Sequence, residues 1–150
     1  MKNKRQRDYM KYWRVIRYFV KRKYNLNTEE LDMLFFLYSE NYFSADKFKE
    51  FEALLGWNKM RFYKLRREGW IQKFKNAIPN KSKAIYCLSF KCTKMLDSVY
   101  NKLDGGPIPM AQSKNPIFLA QAGYSDKVYR KMIEKMNLAI RQEQCHSHEL

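Results

Sequence analysis

The chain has 150 residues, 45% of them hydrophobic and 16% aromatic, so it can bury about 68–70% of its unfolded surface as one domain and is not a disordered basic tail. Thirty Lys and Arg against fifteen Asp and Glu give a formal charge of +15, which points to a polyanion such as nucleic acid as partner. The longest stretch without a charged residue is eleven, residues 115–125, well short of the roughly 20 apolar residues that span a membrane.

The N-terminal residues are basic, but Arg14 and Arg17 interrupt the apolar positions that follow, so no signal-peptide core forms. Residues 8–24 place Tyr9, Tyr12, Trp13, Ile16, Phe19 and Val20 three and four apart, which predicts an amphipathic helix. Asn27 with Glu30 three residues later is a capping pattern. The helix behind it, with Leu31, Met33, Leu34, Phe35, Phe36, Leu37 and Tyr38, is apolar nearly all round and should be central and buried. Ser44 caps a third helix carrying Phe48, Phe51 and Leu55, and Gly56 ends it. Asn58 caps a fourth over 59–68, with Phe62 and Leu65 inward and Gly69 as its stop.

From Trp70 the period becomes two. Trp70, Gln72 and Phe74 alternate with Ile71, Lys73 and Lys75, and residues 84–90 alternate again through Tyr86, Leu88 and Phe90. The polar NAIPNKSK between the two runs gives a hairpin with a basic tip. Residues 91–103 return to helical spacing with Met95, Val99 and Leu103. Residues 107–123, with Pro107, Pro109 and Pro116, read as an extended connector that carries the next element away from a compact body. A last helix over about 125–142 places Val128, Met132, Ile133, Met136 and Ile140 on one stripe.

Charge is uneven along the chain: +9 over residues 1–24, −5 over 25–56, +10 over 57–103 and +1 over 104–150. Two basic blocks flank an acidic one. On the 59–68 helix, with Phe62 and Leu65 inward, Met60, Lys64 and Arg67 point outward, flanked by Arg61 and Tyr63. Lys59, Arg61, Tyr63, Lys64 and Arg67 are therefore expected to face a DNA major groove, where Arg and Lys read guanine and contact phosphate. Lys73, Lys75, Lys81 and Lys83 of the hairpin are expected along phosphates, supplying affinity more than sequence. Lys2, Lys4, Arg5 and Arg7 fit a flexible arm with the same role. A solvated charged face is the plainer reading of all these residues.

The order of helices followed by a hairpin and a further helix is that of a winged helix-turn-helix domain. LRREGWIQKF at 65–74 and CLSFKCTKMLDSVYNKL at 87–103 resemble the MarR-like winged-helix proteins, which have a Leu, charged residues, Gly and an apolar pair leading into the wing, then an amphipathic helix. The resemblance covers about 8–103. Residues 56–69 look about one helical turn shorter than that family's recognition helix, and Asn80, Lys81, Ser82 and Lys83 stand where its wing carries an Asp-Arg pattern. The resemblance implies a duplex-DNA-binding transcriptional regulator whose terminal helices make a homodimer. On this reading Trp13, Ile16, Val128, Met132 and Met136 line an oligomer or partner interface, the alternatives being that the two stripes cover each other or the core.

The expected fold is therefore mainly α with a small β-hairpin: a winged helix-turn-helix domain over 1–106, then a connector and C-terminal extension helix over 107–150. No catalytic site, metal or cofactor is expected. The two histidines, His146 and His148, stand beside Cys145 near the end of the chain, and the five glycines match no phosphate-binding spacing. The rival expectation is a winged-helix module for protein contacts, a structural or adaptor component of a phage virion. The corresponding settings are a bacterial cytoplasm, or the virion.

Overall fold

A computed structural model describes residues 8–56 and 58–148. It is mainly helical, with a small three-stranded antiparallel sheet. The elements are α1 (Tyr9–Tyr24), α2 (Thr28–Tyr38), β1 (Tyr42–Phe43), α3 (Ala45–Leu55), α4 (Lys59–Arg67), β2 (Ile71–Lys75), β3 (Ile85–Leu88), α5 (Phe90–Leu103), a single 3₁₀ turn (Pro116–Phe118) and α6 (Tyr124–His148). Among the described residues no helix is long and apolar enough to cross a membrane.

The chain forms two compact units, one of residues 26–98 and one that joins the residues before 26 to those from 99 onward. In the first unit α2 is the buried helix that its sequence predicts, with Leu31, Met33, Leu34 and Leu37 inaccessible to solvent. Its start is a full capping box: the Asn27 side chain accepts from the Glu30 N–H while Glu30 reaches back to the Asn27 N–H. Also buried in this unit are Phe43 of β1, Phe48 of α3, Leu65 of α4, Trp70, Ile71, Tyr86 and Cys92, Met95 and Leu96 of α5. Helix α4 ends in a Schellman motif. Gly69, at φ 81°, turns the chain so that its N–H meets the Arg66 carbonyl and the Trp70 N–H meets that of Leu65.

The hairpin forms where expected, but it belongs to a larger sheet in which β3 is the central strand. The strand order is β1, β3, β2, with Tyr42 opposite Cys87 and Gln72 on its other side. A two-residue strand has no visible alternation, which is why β1 is silent in the sequence. The inward alternation stops early: Trp70 and Ile71 are buried, whereas Gln72, Lys73, Phe74 and Lys75 are all exposed because the strands run out beyond the body. Phe90 is also exposed, so neither it nor Phe74 belongs to the core. At the tip, Pro79 and Asn80 (φ 61°) occupy the central positions of a turn closed by the Lys81 N–H on the Ile78 carbonyl, as a type II turn requires.

The second unit corrects the expected division after residue 106. Helix α1 packs with α6 and the 3₁₀ turn, and residues 99–106 of α5 and its exit lie with them. The segment 107–123 is no extended spacer, since Ile108, Asn115 and Ile117 are buried. Asn137 of α6 takes both backbone groups of Ile108, accepting from its N–H at 3.0 Å and donating to its carbonyl at 2.9 Å. Arg130 donates from Nε to the Ile117 carbonyl at 2.6 Å and also to that of Leu119. Gly106 sits close against the end of α5: a Cβ there would fall 3.0 Å from the Asn101 carbonyl oxygen and would displace the exposed Asn101 side chain.

Asp126 anchors α1 to α6. Tyr18 donates to its Oδ1 at 2.5 Å, Arg22 bridges it at 2.9 Å, and the Tyr18 and Tyr129 rings stack with centroids 3.8 Å apart. Burial opposes ionisation of Asp126, but the hydrogen bonds from Tyr18 and Arg22 outweigh it and hold the carboxyl below its ordinary value. Burial and that carboxylate push the Tyr18 phenol up to about 12. A carboxyl lowered in the folded state contributes stability above its ordinary value of 3.8, and the contribution is lost as pH falls through the lower folded value. Asp126→Asn should therefore cost about 1–3 kcal/mol at pH 7. It should also lessen the loss of stability that the wild-type chain shows below about pH 4, as measured by urea unfolding across a pH series.

Candidate nucleic-acid interface

The α3–α4 pair presents its surface from a buried ion pair. Glu52 follows Phe48 by four residues and precedes Leu55 by three, so it sits on the apolar stripe of α3, only 1% exposed. Its Oε1 accepts from Arg61 Nη1 at 2.5 Å and from the Asn58 N–H at 2.7 Å, so one carboxylate oxygen holds both the start and the first turn of α4. Beside it the Phe48 and Phe62 rings meet edge to face at 4.9 Å, and Phe62 meets Tyr86 at 5.1 Å. Asn58 caps α4 by accepting from the Met60 N–H.

This geometry withdraws Arg61 from the expected DNA-facing set. It is 8% exposed and its charge is committed to Glu52. The warning sign in the sequence was Glu52 itself, a carboxylate on an apolar helical face that demands a buried cation. Lys64 is turned aside as well: its ammonium lies 2.6 Å from the buried Glu30, whose hydrogen bond holds it above its ordinary value. Lys83 of the hairpin is paired with Asp46 of α3, and the Lys83 hydrogen bond keeps that carboxyl low. The Lys59 side chain and Lys2, Lys4, Arg5 and Arg7 lie outside the described residues, as do the side chains of His146 and His148.

What remains outward is a smaller set. Arg67 near the end of α4 and Lys73, Lys75 and Lys81 on the hairpin are exposed, with no ion pair or side-chain hydrogen bond among the described residues. Tyr63 is 53% exposed on the same helix, and Met60 is exposed with it. Two cations that sequence reasoning missed brace the frame. Arg66 lies 5.0 Å from the Tyr86 ring centre, and Lys91 lies 4.0 Å from that of Trp70 while donating to the Glu68 carbonyl.

The expected interface residues of the other unit also divide. Ile16 and Met136 are buried, where α1 packs with α6, so the two stripes meet only in part. Trp13 is half-buried. Val128 and Met132 stay at the surface and line a groove between α1 and α6.

Comparison with protein families, with curated proteins and with solved structures finds no match to this chain.

Glu52→Gln should destabilise the chain by about 3–5 kcal/mol in urea unfolding, because it leaves the Arg61 guanidinium buried and uncompensated. Replacing both partners, with Glu52→Met and Arg61→Met, should recover a large part of that loss, since no unpaired charge then remains.

Proposed function

We propose that the 26–98 unit is a winged helix-turn-helix module that binds duplex DNA, with α4 as its groove-facing helix and the β2–β3 hairpin as its wing. The order α2, β1, α3, α4, β2, β3 supports this reading, and so does the tight, Asn58-capped connection between α3 and α4. The observation that carries it is the sorting of charge. Arg61 is buried against Glu52, Lys64 is held by Glu30 and the exposed Lys83 is paired with Asp46, whereas Arg67, Lys73, Lys75 and Lys81 are exposed with no ion pair among the described residues, along one helix end and the hairpin that follows it. Three of those four are lysines, point charges suited to phosphate, so most of the affinity is independent of sequence. Arg67 and Tyr63 are the side chains for base contact. A MarR-like regulator acting by binding, without catalysis, is the corresponding biological role.

A second reading has its own observation. With Arg61 and Lys64 engaged by carboxylates, the outer face of α4 presents Met60 and Tyr63, and the exposed Phe74 meets Tyr42 at 4.5 Å on the sheet. Such a face suits protein as well as DNA, as in an adaptor within a larger assembly such as a virion.

Anisotropy titrations of labelled duplex DNA separate the two. Three phosphate contacts, from Lys73, Lys75 and Lys81, predict a log-log salt slope of about −3, reduced by about 0.9 in Lys75→Ala and again on adding Lys81→Ala. Arg67→Ala should cost about 1–3 kcal/mol and relax any sequence preference, with little change in melting temperature. Binding that ignores salt, or the absence of binding at low salt, would falsify the DNA reading and leave the protein-contact one.

A further inference from the structure

The groove between α1 and α6 lies in the unit that the DNA reading does not use. It has a volume of about 580 Å³, and its apolar lining is Tyr12 and Val15 of α1 with Val128, Met132 and Met136 of α6. Along α6 two rows run side by side. Tyr124, Val128, Met132 and Met136 recur every four residues, and Lys127, Lys131 and Lys135 recur at the same interval one position earlier. Lys11 of α1 stands on the opposite bank. None of these four lysines has an ion pair among the described residues, and Asp8 is the one acidic residue lining the groove. Val128 is exposed, and Tyr124, at the open end of the row, is 83% exposed.

We propose that this groove docks an acidic amphipathic helix of a partner protein. An apolar floor takes apolar side chains at i, i+4 and i+7, and the basic banks take the carboxylates that flank such a stripe. The row from residue 124 to 136 is about 18 Å long, the length of about three helical turns. Duplex DNA satisfies the lysines but leaves the floor uncovered. A second copy of this chain brings the same lysines and another +15, so like charges would face each other across the contact. Complementarity of both shape and charge is met by an acidic helix.

The whole chain is titrated, at physiological salt, into a fluorescein-labelled 14-residue helical peptide with Leu along one stripe and Glu elsewhere, and into its counterpart with Gln in place of Glu. The Glu peptide should bind at least roughly tenfold tighter than the Gln peptide, and Lys131→Glu with Lys135→Glu, or Met132→Glu alone, should each weaken it by roughly tenfold or more. Methyl resonances of Met132 and Met136 should shift on adding the Glu peptide, which locates the contact without any substitution, and circular dichroism checks that the variants stay folded. Arg67→Ala should bind the peptide like the wild type, so loss of DNA binding and loss of peptide binding are separate results. The proposal is overturned by equal affinity for the two peptides or by no detectable binding of either. It is equally overturned if DNA displaces the peptide and loses affinity in Met132→Glu, or if sedimentation shows a wild-type dimer that this substitution dissociates.

Discussion

Glu52 sets the terms for the α3–α4 face. A carboxylate removed from water on the apolar side of α3 has to be compensated, and the groups within reach are the Asn58 N–H and the Arg61 guanidinium. Both belong to the first turn of α4 or its cap, so the same contact that neutralises the charge also fixes where α4 begins and how it is rotated. Once Arg61 points inward, Leu65 one turn later is buried, and Met60, Tyr63 and Arg67 are left for the outside. The pair is not an optimised stabiliser: Glu52 Oε2 is buried with no hydrogen-bond partner among the described residues. What it adds is orientation, since apolar side chains in the same space can fill it but carry no directional bond to set the rotation of the helix.

The other unit solves the same problem differently. Asp126 sits at the start of α6, where it suits the helix dipole, and there it collects a phenol and a guanidinium from α1. Asn137, about three turns further on, is satisfied by both backbone groups of Ile108. These polar contacts hold a segment rich in proline, with little regular structure, against a helix. They replace the backbone pairing that its prolines prevent.

Charge is thereby sorted into two populations. Cations within reach of a buried or flanking carboxylate become structural, as Arg61, Lys64, Arg22 and Lys83 do. Of the exposed cations with no ion pair among the described residues, Arg67, Lys73, Lys75 and Lys81 lie on the hairpin and the end of α4, and Lys11, Lys127, Lys131 and Lys135 border the α1–α6 groove. A high net charge thus divides by location, and the two surfaces differ in what lies between the cations. On the hairpin they are interleaved with polar and scattered aromatic side chains, whereas in the groove they border a continuous apolar floor.

Local patterns in the sequence determined the helices, several of their caps and the hairpin, although Ser44 precedes α3 without the side-chain cap bond expected of it. The Asn27–Glu30 box, Asn58, Gly69 and the turn at Pro79 and Asn80 act within a few residues of themselves, so their meaning does not depend on what packs nearby. Strand β1, the folded course of 107–118, the grouping of α1 with α6 and the inward turn of Arg61 were decided by tertiary structure. Each depends on a partner distant in sequence or, for Glu52 and Arg61, nine residues away across a turn. Periodicity reports which side of a helix is apolar, but it cannot say which cation a buried acid will claim. The interaction that removes a charge from the surface is three-dimensional, and for that reason only the folded chain separates structural lysines and arginines from those left to bind.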